Sequence, residues 1–257
     1  MGILNLTPDS FYDGGNYTNN TAILKQVEHM LKQGATFIDV GAYSSRPDAA
    51  HVNQDEELKR IVPVVELLTQ SFPDILLSID TFRNQVAKTC IEAGAAIIND
   101  ISAGMLDRNM LETVGKLQVP YIMMHMRGTP QTMQQHTRYN DLLKDMLLYF
   151  SERIQQARAH GIIDCIIDPG FGFSKTTAQN FELLNKLELL HLTDLPLLVG
   201  VSRKSMIYKT LNTTADQALN GTSVINTISL QKGASILRVH DVKEAMECIT
   251  LTKVLNG

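Results

Sequence analysis

Cysteine is scarce in this chain, with three residues in 257, and none of them sits at metal-ligand spacing. Cys90, Cys165 and Cys248 fall in or beside apolar helix or strand patterns, the placement of buried thiols in a reducing compartment. Long hydrophobic runs are also missing: no segment reaches the roughly 20 residues needed to span a bilayer. The N-terminus lacks the charged, then apolar, then small-residue layout of a secretory signal, and Leu6 stands where a myristoylation start needs Ser or Thr. A cytoplasmic protein with no membrane partner is therefore expected. Asn16-Tyr17-Thr18 and Asn212-Thr213-Thr214 match a glycosylation pattern but in such a chain read as turn and loop residues. An excess of positive charge is absent too, because the net charge is −4, so nucleic acid is not expected as a partner. Linkers, low-complexity tracts and shifts in charge do not interrupt the chain, and residues 1–257 read as a single domain.

What the chain does contain is a repeat of short apolar runs alternating with helical patterns. The runs are Gly2–Leu6, Phe37–Gly41, Ile75–Asp80, Ala96–Ile101, Pro120–Met126, Ile163–Asp168, Leu195–Val201 and Ile236–His240. Each is short and apolar enough for a buried parallel strand. Helical spacing fills the gaps, as at Ile23, Val27, Met30 and Leu31, or Leu58, Ile61, Val62, Val65 and Leu68, with Asp55, Glu56 and Glu57 placed to complement the second helix's positive end. Gly34, Gly94, Gly161 and Gly233 each stand at a helix-to-strand turn. Eight such units predict an α/β fold, a single (β/α)8 TIM barrel. Long loops follow strands 1 and 2, at Thr7–Asn20 and Gly41–Gln54, and Arg127–Arg138 forms a third long segment. The chain begins almost inside its first strand, so a truncated N-terminus without a plug for the barrel bottom is expected.

Polar groups gather where these runs end: Asn5, Asp39, Asp80, Asn99, His125, Asp168, Ser202 with Lys204, and Arg238 with His240. Polar side chains at the C-terminal ends of buried strands cannot be core, and a ring of them predicts one shared pocket at the barrel mouth. Arg238 and His240 have alternate strand spacing and can point to the same side.

The segments that carry these groups closely resemble the dihydropteroate synthase family, pterin-binding barrels of folate biosynthesis that sulfonamides inhibit. The resemblance begins at Gly2-Ile3-Leu4-Asn5-Leu6-Thr7-Pro8-Asp9-Ser10-Phe11 with Asp13-Gly14-Gly15 and continues through Asp39-Val40-Gly41, Ser44-Ser45-Arg46-Pro47 and Ser78-Ile79-Asp80. It runs on through Ile98-Asn99-Asp100, Met124-His125-Met126, Asp168-Pro169-Gly170-Phe171-Gly172-Phe173, Ser202-Arg203-Lys204-Ser205 and Arg238-Val239-His240-Asp241. The opening and the eight fragments that follow it in order are specific where any one would be weak.

That resemblance implies a reaction in which 4-aminobenzoate is joined to dihydropterin pyrophosphate, with Mg²⁺ assisting and pyrophosphate leaving. A 2-amino-4-oxo pterin presents a guanidine-like edge of N–H donors, which a buried carboxylate can accept in pairs, and Asp168 is assigned to it. By similarity Asp80, Asn99 and Lys204 complete the pterin contacts, with Met124 against the ring. The diphosphate falls to Asn5, Ser45, Arg46, Arg238 and His240, and the metal to Asn5 and Asp13. Aminobenzoate falls to Phe11, Arg46, Pro47, Phe173, Lys204 and Ser205. Lys204, Arg238, His240, Asp13 and Arg46 carry the catalytic assignments, and a homodimer is implied. The family's second loop usually reads Gly-Gly-Glu-Ser-Thr-Arg-Pro-Gly, whereas here Tyr43 replaces a carboxylate and Asp48 a glycine, and Ser174 likewise replaces a glycine further on. Rival readings are a pterin-dependent methyltransferase, which needs no pyrophosphate site, a pterin-binding pseudoenzyme, and a scaffold using only its helical exterior. Ser45-Arg46 together with Ser202-Arg203-Lys204 and Arg238-Val239-His240 weigh against the first. Lys204 as a Schiff-base nucleophile and Gly170–Thr176 as a nucleotide phosphate loop are weaker still, since the glycine spacing of the latter differs from that of a Walker loop.

Overall fold

The computed structural model describes residues 1–6, 17–43 and 52–256. Strands β1 (Gly2–Asn5), β2 (Phe37–Gly41), β3 (Leu76–Asp80), β4 (Ile97–Asp100), β5 (Tyr121–Met124) and β6 (Cys165–Asp168) form one parallel sheet in sequence order. β7 (Leu198–Val199) and β8 (Ile236–Leu237) form a second parallel pair. Two parallel bridges join the pieces into a ring: Ile167 with Leu197 links β6 to β7, and Gly2 with Val239 links β8 back to β1. The backbone bonds Ile167 N to Pro196 O and Ile3 N to Val239 O, both 3.0 Å, close the barrel. Among the described residues the helices that follow the strands are α1 (Tyr17–Lys32), α2 (Gln54–Ser71), α3 (Asn84–Glu92), α4 (Met110–Leu117), α5 (Leu142–Ala159), α6 (Thr177–Asn185), α7 (Ser205–Thr210), α8 (Leu219–Gln231) and α9 (Val242–Asn256).

Side-chain parity explains why these runs make a barrel with a polar mouth. One face of each strand packs under the helices in a single large core, to which Ile38, Val40, Leu77, Ile79, Ile98 and Ile167 belong. The other face points into the barrel, and its lower positions are apolar: Phe37, Ile97, Ile122, Ile166, Leu198 and Ile236 cluster with Met1. Two residues further along those same strands stand Asp39, Asn99, Met124, Asp168, Gly200 and Arg238. The period of two that fills the barrel bottom with Ile and Phe thus delivers the polar groups to the top.

Several boundaries differ from the sequence expectation. The last two strands are short, with β7 and β8 only two residues each, because the chain leaves the ladder early to present Ser202, Lys204 and His240 from turns. The four helix-terminating glycines all take positive φ, from +82° to +105°, as expected. All three cysteines are free and buried. Glu57 does more than complement the α2 dipole. It is fully buried, accepts from Thr81 Oγ1 at 2.7 Å and forms an ion pair with Arg83. Arg83 in turn donates to Val52 O at 2.6 Å and lies 5.3 Å from the Tyr43 ring, so one guanidinium touches both flanks of the second long loop. Tyr43 meets Phe82 edge to face and accepts from Gln131 Nε2 at 2.8 Å, tying that loop's root to the segment after β5.

Candidate active site

The mouth is organised around a carboxylate expected among the polar strand ends but given no contact to substrate. Asp39, fully buried in the middle of β2, accepts from Arg238 Nε at 2.6 Å and from Asn99 Nδ2 at 3.1 Å. Arg238 Nη2 reaches Asp80 Oδ2 at 2.9 Å. Four strands are thereby cross-linked by charge-assisted hydrogen bonds, and the only Arg238 nitrogen without a bond among the described residues is Nη1. The signal for Asp39 was present in the chain: a carboxylate inside Phe-Ile-Asp-Val-Gly shares parity with the inward-facing Phe37.

Asp168 lies at the end of β6, where its Oδ1 accepts from Gly170 N at 2.7 Å. Its other oxygen takes no donor among the described residues. Lys204 donates to Phe171 O at 2.6 Å and sits 4.9 Å from the Phe173 ring centroid. Ser205, half-buried, opens α7 beside it. Met124, together with Ile101, Met126 and Met133, makes the apolar wall that Phe173 packs against. Asn5 ends β1 half-buried, next to the ring's closure. The structure therefore brings Asn5, Asp80, Asn99, Met124, Asp168, Phe173, Lys204, Ser205 and Arg238 to one end of the barrel. His240 is exposed, with Nδ1 3.0 Å from Ser202 Oγ. Phe11, Asp13, Ser45, Arg46 and Pro47 lie outside the described residues.

Two groups expected at the mouth face elsewhere. His125 follows the inward Met124, so parity turns it outward: it is 1% exposed, contacts the Tyr149 ring edge to face at 4.8 Å and lies 3.0 Å from Lys175 Nζ. Arg203 does not serve a phosphate, because its guanidinium makes a two-pronged pair with Asp241 at 2.9 and 2.8 Å. Its φ of +56° rotates Arg203 away and leaves Lys204 toward the pocket. Lys175 is also buried, beneath the mouth.

Three carboxylates thus face two cations at the mouth, with Asp39 and Asp168 buried and Asp80, Lys204 and Arg238 partly so. Burial pushes the Asp80 carboxyl up to about 7 against the pull of Arg238, with Asp39 adding to the rise. Asp168 is likewise raised by burial, which Lys204 opposes. Burial brings the Lys204 ammonium down to about 8, with Asp168 holding it up. Groups held this far from their ordinary ranges in a cleft mark a binding or catalytic site. A planar, nitrogen-rich ring fits the arrangement: acceptors from Asp168 and Asn99 Oδ1, a donor from Lys204, and an apolar wall from Met124 and Phe173.

Comparison with known proteins points the same way. The family model described as pterin binding enzyme matches residues 1–240. The chain is 42% identical over 255 residues to the dihydropteroate synthase of Escherichia coli strain K12, covering 98% of this chain and 90% of that protein. Among solved structures, Yersinia pestis dihydropteroate synthase in a sulfonamide drug complex superposes with a TM-score of 0.93 at 44% identity, over 99% of this chain and 93% of that one. Xanthomonas albilineans dihydropteroate synthase with 4-aminobenzoic acid gives 0.91 at 36% identity, over 100% and 92%.

Proposed function

From the premise that this chain belongs to the pterin binding enzyme family, we infer how it works as a dihydropteroate synthase, a transferase of folate biosynthesis. The reaction breaks the C–O bond between the dihydropterin methylene and its diphosphate, forms a C–N bond to the amino group of 4-aminobenzoate, and releases a proton and pyrophosphate. The observation that carries the residue assignments is the convergence of Asp80, Asn99, Asp168, Lys204 and Arg238, from separate strand ends, on one mouth.

Asp168 accepts the pterin's paired N–H donors, Asn99 offers the oxygen left free by its bond to Asp39, and Lys204 donates to the ring's oxygen side. Met124 and Phe173 cover the ring. An electron-rich dihydropterin stabilises a cationic methylene, so diphosphate departs before the amine attacks, and the aniline nitrogen needs no strong base. Arg238 bridges the two halves of the site: its Nη1 edge is available to the departing oxygens, joined by His240, Asn5, Ser45 and Arg46, while Asp39 and Asp80 hold it in place. Phe11, Arg46, Pro47, Phe173, Lys204 and Ser205 surround the aminobenzoate, where sulfonamides compete. Among the described residues no cluster of three metal-ligating side chains forms. A Mg²⁺ site completed by substrate phosphates needs only one or two hard oxygen donors from the protein, and Asn5 with Asp13 would supply them, the ion neutralising charge on the leaving diphosphate.

Pyrophosphate release tests this assignment. With Mg²⁺ and dihydropterin pyrophosphate, steady-state release beyond one equivalent per site should depend on 4-aminobenzoate and fall about 10³-fold in Lys204→Ala, since one preorganised charge donor is commonly worth about 10²–10³ in rate. Sustained turnover without aminobenzoate, or an unchanged Lys204→Ala rate, would overturn it.

The homodimer and the cytoplasmic compartment belong to the same reading. No helix among the described residues is long and apolar enough to cross a membrane. The surface for a second copy is supported by Val224 on α8 and Leu251, Val254 and Leu255 on α9, which expose 51–77% of their area. Exposed apolar groups gathered on adjoining helices are unusual for a monomer. Leu251→Lys combined with Val254→Lys should sediment as a monomer where the parent sediments as a dimer; a dimeric double variant would place the interface elsewhere.

A further inference from the structure

Beneath the mouth lies a charged side chain that the steps above do not use. Lys175 is 3% exposed, and its ammonium contacts Gly170 O at 3.0 Å, Phe173 O at 3.1 Å and His125 Nδ1 at 3.0 Å. Those two carbonyls bracket the turn that carries the mouth's working parts. Phe171 O between them accepts from Lys204, and the Phe173 ring lies beside the Lys204 ammonium. Gly172 N is bonded to Asn180 Oδ1 at 2.7 Å, so the turn is held from both sides. Gly170 itself has φ +67°, and a Cβ there would stand 2.2 Å from His125 O, so the turn packs directly on the segment that presents His125.

The next residue reinforces the anchor. Ser174, where the family usually has glycine, is fully buried at φ +51°. Its hydroxyl accepts from Arg127 N and donates to Arg127 O, both at 2.8 Å, and its carbonyl accepts from Tyr139 OH at 2.9 Å. A left-handed conformation unfavourable for serine is thereby held by bonds that only a hydroxyl can make. The chain orients residue 175 inward from this fixed point.

Charge gives the anchor a second effect. Asp168 and His125 face Lys175 from the ends of β6 and β5, Arg127 and Lys204 face it from neighbouring loops, and Tyr139 and Tyr149 pack beside His125. Burial brings the Lys175 ammonium down to about 7 while Asp168 holds it up. Burial keeps His125 well below its ordinary value, hence neutral and able to accept. Reciprocally, Lys175 helps hold Asp168 ionised.

Resting on the synthase reading, we propose that Lys175 is a positioning residue of this reaction: its ammonium fixes the 170–173 turn so that Lys204 and Phe173 meet the pterin correctly, and acts as a further cation facing Asp168. A buried lysine with only carbonyls and a neutral imidazole for partners is costly to retain for packing alone.

The test compares Lys175→Met with Lys175→Arg in the full chain. Readouts are kcat and KM for each substrate, the pH profile of kcat/KM, melting temperature, and the Kd of 6-hydroxymethylpterin followed by its own fluorescence, which tryptophan does not obscure because the chain has none. Lys175→Met is expected to stay folded while pterin Kd and KM rise about 10- to 100-fold, the range of a lost charge-assisted bond. The acid limb of kcat/KM should move to higher pH, because Asp168 loses a cation that favours its ionised form. Lys175→Arg should restore that limb whatever it does to KM. Loss of melting temperature and kcat with unmoved Kd, KM and acid limb would mean a merely structural lysine and overturn the proposal. Lys175→Gln carries the same readouts if the Met variant does not fold. A wild-type chain that releases no pyrophosphate would instead fault the synthase reading, so the two failures are distinguishable.

Discussion

Replacing Arg238 by Met is expected to cost about 10³-fold in kcat/KM and about 3 kcal/mol in stability, the magnitudes associated with losing a preorganised charge donor and stranding buried partners. Both effects arise from one side chain. Arg238 reaches Asp39 at 2.6 Å and Asp80 at 2.9 Å, and the former is fully buried. Methionine fills the volume but leaves two carboxylates on neighbouring strands without their cation. Asp80 responds by holding its proton, and this gives the stability loss a pH signature. Asp80, raised by burial to about 7 even with the guanidinium present, moves higher without it. A carboxyl whose folded value exceeds its unfolded value contributes stability that is complete below the unfolded value and lost as pH rises through the folded one. The deficit of Arg238→Met should therefore be small near pH 5 and grow toward pH 8 in urea denaturation. An equal deficit at both pH values would mean that these carboxylates are not held by the guanidinium.

Asp168→Asn should separate binding from stability by giving them opposite signs. The pterin loses the charge in two hydrogen bonds, and at about 1.5–3 kcal/mol for each charge-assisted bond the Kd of 6-hydroxymethylpterin should rise by about 10² or more. The fold loses less, because the asparagine oxygen can still accept from Gly170 N as Oδ1 does at 2.7 Å. It also gains, since Asp168 is raised by burial and its ionisation opposes folding above its unfolded value. The variant should melt above the parent at pH 8, and this advantage should vanish as pH falls toward 4. A variant that loses both binding and melting temperature at pH 8 would show that Asp168 holds the loop more than it serves the ligand. The expected pattern is that of a binding site whose free state is electrostatically strained and whose ligand relieves the strain.

Most of the barrel was legible in the chain because parallel strands buried on both faces leave an unmistakable apolar pattern. Within that pattern Asp80, Asn99, Asp168 and Arg238 stood out as polar strand ends, and the structure shows that they share the inward parity. Parity applied strictly would have kept Asp39, two residues after Phe37, as a working part of the mouth and set aside His125, one residue after Met124. Legibility stopped at the turns. In Ser202-Arg203-Lys204 two basic residues stand side by side, and a positive φ at Arg203 with Asp241 as its partner determines which one faces the ligand. Lys175 carries no periodic signal at all. Its burial depends on Gly170, Phe173 and His125 arriving from two strands, which local spacing does not encode.

The alternation of strands and helices, the polar ends of the strands and hence the place where a pocket forms follow from the chain alone, because period-two burial and helix periodicity are local properties. The residue types at those ends carry the chemistry of the pocket as well. Which charges neutralise one another there is settled only when the barrel closes. Asp39 and Arg238 are far apart in the chain yet make a bond of 2.6 Å when β8 closes on β1, and the pairing that tunes the site exists only once the barrel is closed.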